Sequence, residues 1–136
     1  WRSIDNGMTF NVVKTWEEGD IRHLHFVKWD KYEHCLWLGT GDYGDNGSEN
    51  RLYRSADDGE TWELVGQYSQ DWRAIGICFT EDALLWGTDA GSCSDTVHFV
   101  RMDRKTRKIE IIQDFEGPCH GCASFAGGRA FFLDRG

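Results

Sequence analysis

Residues 55–62 read SADDGETW, and residues 3–10 read SIDNGMTF. Aligned, the two octets share Ser, Asp, Gly and Thr at the same offsets, and each ends on an aromatic, Trp62 or Phe10. Such an internal repeat decides the fold, because a repeated unit that cannot bury its apolar face alone must stack on a neighbour.

Around the octets the chain reads as short strands. RHLHFVKW, CLWLGT, RLYRS, TWELV, RAIGICF, ALLWGT, VHFVRM and KIEIIQDF are rich in β-branched and aromatic residues and are separated by Asp, Gly, Asn or Ser clusters. No stretch shows helical periodicity over three turns, so the fold class is all-β. A longer period is also visible. The pair Gly39-Thr40 in LWLGTGD recurs as Gly87-Thr88 in LLWGTDAG, and CHGCASFAGGRAFFLD starts a third copy with Gly127-Gly128 as its turn. A spacing in the high forties of residues is that of a four-stranded propeller blade.

Composition sets bounds on function. The chain has 136 residues, about one domain, with 7 Trp, 8 Phe, 4 Tyr and 16 Gly. A net charge of −8, from 23 acidic against 15 basic residues, argues against a duplex nucleic-acid partner, which needs a basic face. The one basic run, RMDRKTRK at 101–108, reads as a solvated hairpin tip. No apolar run approaches the roughly 20 residues of a membrane helix. The chain opens on Trp1 without a signal peptide, as expected of a trimmed chain or a piece of a larger one. Five cysteines are an odd number, so at least one is a thiol, a metal ligand or paired elsewhere; the compartment stays open.

The octets resemble the Asp-box, or BNR repeat, S-x-D-x-G-x-T-W, of sialidase-like β-propellers. Ser55, Asp57, Gly59, Thr61 and Trp62 match it fully, and Ser3, Asp5, Gly7, Thr9 and Phe10 depart only in Phe for Trp. A third copy, expected at 102–109, has lost the motif. The resemblance implies a propeller segment of four-stranded antiparallel blades: residues 1–18 end one blade, 19–67 and 68–116 are two full blades, and 117–136 start another. A ring closes with roughly four to eight blades, so the remaining ones are expected from a longer chain or from other subunits. Each box is then a turn between the third and fourth strands. Its Asp accepts N–H bonds across the turn, its Gly supplies positive φ and its aromatic plugs the gap between sheets. Asp5 and Asp57 are thereby structural.

In a propeller the first strand of each blade lines the central channel, and the loops entering it lie on the face opposite the boxes. That face is expected to gather the candidate residues. His23 and His25 alternate along one strand, and His25 is expected in register with Arg73 of the next blade. Arg73 suits a carboxylate and His an acid or base, although both His could instead bond within a neighbouring sheet. Asp42 and Asp89, just past the two Gly-Thr pairs, form a carboxylate pair for glycoside hydrolysis or cap hairpin ends. Tyr43 and Trp72 are the candidate substrate contacts. Trp29, Trp37 and Trp86 read as inter-blade core, and Asp42, Asp45 and Glu49 make a weak hard-cation loop.

CHGC, with Cys119, His120 and Cys122, joined by Cys93, is the candidate site of a structural zinc, resembling one in some propeller polysaccharide lyases. A Cys93–Cys119 disulfide and unpaired thiols are the alternatives. Cys35 and Cys78 read as small buried hydrophobes. The implied function is an enzyme acting on, or a module binding, an acidic glycan, as glycosidase or lyase; the alternative is a non-catalytic interaction propeller. The sialidase Arg-Ile-Pro motif is missing, the single proline being Pro118.

Overall fold

The computed structural model describes residues 1–42, 47–90 and 96–134. Strands β1 (His23–Asp30), β2 (Cys35–Gly41), β3 (Arg51–Ser55) and β4 (Glu63–Gln67) form an antiparallel sheet in chain order. A 3-10 turn, Gln70–Trp72, leads to a second such sheet of β5 (Ala74–Phe79), β6 (Ala83–Thr88), β7 (Val97–Asp103) and β8 (Ile109–Phe115). Strands β9 (Cys119–Phe125) and β10 (Arg129–Asp134) form a separate hairpin. The described chain is therefore all-β. Among the described residues 1–22, one isolated bridge, Arg2 with Asn11, takes the place of a strand pair. A lone turn has no sheet face to bury and does not extend into strands.

The second strands carry the core. β2 and β6 are buried on both faces, which explains why CLWLGT and ALLWGT read as apolar runs rather than alternations. Trp37 and Trp86, both 0% exposed, anchor one cluster with Leu52, Ile77, Leu84 and Met102. Trp29, read as core, is half exposed.

The three first strands lie side by side. His25 Nδ1 is 2.7 Å from Ala74 O, tying β1 to β5, and β9 lies against the other flank of β5. Each carries an irregularity at the same height. The register slips between Leu24 and Phe26, between Ala74 and Gly76, and opposite Leu133 and Asp134, so the additional residues are His25, Ile75 and His120. This corrects the expected register. Leu24 faces Thr40 and Ala74 faces Thr88, so the β1 residue equivalent to Arg73 is His23 rather than His25.

The two octets fold alike. Ser3 Oγ donates to Asp5 Oδ1 and accepts Gly7 N–H, both at 2.8 Å, and Thr9 N and Oγ1 donate to the carboxylate at 2.9 and 2.6 Å. Ser55, Asp57, Gly59 and Thr61 repeat those four distances. Gly59 sits at φ +88°, which a side chain would strain, and Trp62 Nε1 closes the turn on Gly59 O at 3.0 Å. Hydrogen bonds from Thr, then Ser, hold both carboxyls down at about 2. Arg2 binds Asp58 O at 3.1 Å, fastening the first octet to the second.

The basic run at 101–108 is not the solvated tip its composition suggests. Asp103 caps the β7–β8 turn, accepting Thr106 N–H at 2.8 Å. Arg104 grips Asp30, 0% exposed, and bonds Glu33 at 2.9 Å. Arg107 and Arg54 converge on the same Glu33. Arg104 and Arg107 thus join the second sheet to the β1–β2 turn of the first, and Arg54 holds Glu33 from within the first.

Candidate functional site

At the end of the sheets away from Trp62, the start of β1, the ends of β2 and β6 and the entry to β5 bring five candidate residues together. His23, Asp42, Arg73, Asp89 and His25 come from four separate stretches of chain. Gly41 makes the convergence possible. A Cβ there would lie 2.8 Å from His25 Cε1 and 3.1 Å from the Arg73 side chain, so only glycine lets both cross the end of β2.

Arg73 is 3% exposed, and its Nη2 donates to Asp42 Oδ1 at 3.1 Å and to Asp89 Oδ2 at 3.5 Å. The strand entry is fixed by its backbone, Arg73 N–H donating to Gln70 O and Arg73 O accepting Asp89 N–H. Asp89 Oδ1 also accepts Ala90 N–H at 2.9 Å, so this carboxylate doubles as a turn cap.

The His25 side chain is 6% exposed. Its Nδ1 must be the donor to Ala74 O, because a carbonyl only accepts. Nε2 then faces Asp42 Oδ1 at 3.3 Å and Asp89 Oδ2 at 4.0 Å, and binds them only with a proton or a cation on it. Two carboxylates against one guanidinium leave the cluster one positive charge short while its imidazoles are neutral. The His23 side chain is 57% exposed, and Nδ1 contacts Asp42 Oδ2, leaving Nε2 toward solvent. Burial alone would raise the Asp42 carboxyl; the Arg73 hydrogen bond, then His25 and His23, outweigh it and hold the group below its usual range.

Among the described residues, His23, His25 and Asp42 are the one group of three ligating side chains with donor atoms within 4.8 Å of one another. Two imidazoles and a carboxylate suit zinc or another first-row divalent ion. Of the expected zinc set at CHGC, the described Cys119, His120 and Cys122 do not come together as one ligand group. Cys119 is buried against Gly87, Cys122 points at Gly76, and His120 is exposed. Cys93 and Tyr43 lie outside the described residues, as does Asp45.

Trp72 takes a packing role. Its ring lies over Gly66 of β4 and stacks on Trp86 at 5.8 Å. Sequence reading missed His98, whose Nδ1 is 2.7 Å from Asp114 Oδ1 and whose Nε2 is 3.8 Å from Asp71 Oδ1. Its partners come from the neighbouring strand and the 3-10 turn, so local spacing carries no signal for it. Neither a protein-family model, nor a curated protein, nor a solved structure matches the chain.

Proposed function

We propose that the chain is a segment of an Asp-box β-propeller and that the cluster of His23, His25, Asp42, Arg73 and Asp89 acts on an acidic glycan, as a polysaccharide lyase or glycosidase. Support for the propeller comes from the two octets folding alike, from consecutive four-stranded meanders, and from first strands set side by side with one shared irregularity. The glycan class follows from the Asp-box resemblance.

The observation that carries the activity is the His23–Asp42 pair. An exposed imidazole oriented by a carboxylate, itself fixed by a buried Arg and a second His, has the arrangement of a proton-transfer group. His23 would take the proton next to a uronate carboxylate, or give one to a glycosidic oxygen. The base thereby moves from His25, whose Nδ1 is tied to the backbone, to His23. Asp42, held ionised, fits an orienting or nucleophilic role better than that of an acid.

One observation favours the non-catalytic interaction module. The Arg73 guanidinium is shared between Asp42 and Asp89, and so is not presented to a ligand carboxylate. The test is turnover and binding on uronate-containing and sialylated glycans. Turnover that drops about 10²–10⁴-fold in His23→Gln supports the proton-transfer reading. Binding without turnover points to the module, and neither binding nor turnover overturns the glycan reading.

A further inference from the structure

Away from the His–Asp cluster, the three first strands bring a second set of reactive groups together. Lys28 on β1 reaches past β5, its Nζ donating to Ile77 O at 3.2 Å and lying 3.3 Å from Cys122 Sγ on β9. The Cys122 sulfur sits over Gly76, 3.0 Å from where a Cβ would be, so the missing side chain lets β9 approach β5 closely. On β5, Cys78 is 2% exposed and, two residues on from Gly76, is carried on the same face of the strand as the position over which Cys122 sits, close enough for the two thiols to interact. Cys122 itself is partly exposed, and neither sulfur is in a disulfide.

We propose that Cys122 is a peroxide-reactive thiol and that Cys78 is its resolving partner, with Lys28 as the cation that activates it. An ammonium ion beside a sulfur stabilises the thiolate, which is the nucleophile, and an adjacent second thiol is the usual setting of a redox-active cysteine. The hydrogen bond from Cys78, then the Lys28 charge, bring the Cys122 thiol down to about 6 against the opposing effect of burial. The same pairing and burial push Cys78 up, which suits a group that stays protonated until its partner has reacted.

The chemistry balances in two steps. The Cys122 thiolate attacks one oxygen of a hydroperoxide. The S–O bond forms, the O–O bond breaks, and the alcohol or water leaves with a proton from solvent. Sulfur loses two electrons and the peroxide gains them. The Cys78 sulfur then attacks the Cys122 sulfenic sulfur, forming S–S and breaking S–O, and the departing hydroxide leaves as water with the Cys78 proton. A dithiol reverses the change. This set is separate from the glycan reading, since it uses none of those residues. Cys119 Sγ donates to Gly121 O at 3.7 Å within its own strand, and its thiol also helps to raise Cys78.

The experiment is graded treatment of the full chain with hydrogen peroxide, followed by peptide mapping under alkylation, with Cys35 as internal control. Expected are a Cys78–Cys122 disulfide that dithiothreitol reverses, and a sulfenic acid on Cys122 trapped by dimedone in Cys78→Ser. Lys28→Gln should slow the reaction of Cys122 roughly tenfold while leaving Cys35 unchanged. Circular dichroism checks that each variant is folded. Should Cys78→Ser misfold, the wild-type disulfide map and Lys28→Gln decide alone. Oxidation of Cys122 no faster than of Cys35, or a rate indifferent to Lys28, would overturn the proposal. So would a Cys78–Cys122 bond that forms in air and resists dithiothreitol in the folded chain, which marks a structural disulfide.

Discussion

Arg104 grips both carboxylate oxygens of Asp30 across 74 residues of chain, and Asp30 is 0% exposed. A bidentate pair of this kind is geometrically demanding, and its loss leaves a charge in the interior.

Asp30→Ala strands Arg104, whose side chain is 8% exposed, with Glu33 as its remaining acid. The expected loss is about 3–5 kcal/mol by chemical denaturation. Asp30→Leu combined with Arg104→Met should recover most of it, since replacing both charges with packed apolar groups removes the burial cost. A double variant as unstable as the single one would refute this account.

The octet carboxylates set the acid limb. Asp5 and Asp57 lie at about 2 in the folded chain against an ordinary 3.8. A depressed carboxyl contributes stability above its unfolded value and loses it as pH falls through its folded one. Thermal stability should therefore fall between about pH 4 and pH 2, and Asp57→Asn should flatten that limb. Asp57→Asn should also lower the melting temperature more than Asp5→Asn, because Gly59 is buried under Trp62 while Gly7 and Phe10 are exposed.

Gly41→Ala tests how the cluster is assembled. The new methyl meets His25 Cε1 at 2.8 Å and the Arg73 chain at 3.1 Å, so overpacking should cost about 1–3 kcal/mol. Any glycan turnover should fall with it. Gly127→Ala is the control for glycine loss, meeting no atom within 4 Å at its positive φ. Equal effects on turnover from the two would argue against a cluster built on Gly41.

Removing Arg73 should reverse the Asp42 shift. In Arg73→Met, burial is left facing only the imidazoles, and the Asp42 carboxyl should rise above its wild-type value. Carboxyl-carbon NMR titration reads this directly. An unmoved Asp42 would mean that the histidines, not Arg73, hold it ionised.

The strands and turns were legible because they are local. Alternation, Gly-rich turns and the octet repeat each act over a few residues, and the β2 and β6 runs announce their two-sided burial. The coming together of His23, His25, Asp42, Arg73 and Asp89 was also foreseeable from the repeat. What local pattern does not carry is long-range pairing. The sequence around 101–108 holds no sign that Arg104 ends on Asp30, and CHGC suggests a metal where Cys122 turns instead to Lys28 and Cys78. The shift that makes His23 the counterpart of Arg73 comes from the longer first hairpin turn: six residues separate the paired Trp29 and Leu36, and four separate the equivalent Phe79 and Leu84, a difference that the shared Gly-Thr pairs do not announce.

The shared irregularity at His25, Ile75 and His120 also separates the two ends of the sheets mechanically. Each first strand absorbs its surplus residue near its start, so side chains below that level keep their alternation whatever happens above it. The rim loops can therefore lengthen, shorten or change chemistry without disturbing the turns that clasp the opposite end. One scaffold can in this way vary one end while its fastenings at the other stay constant.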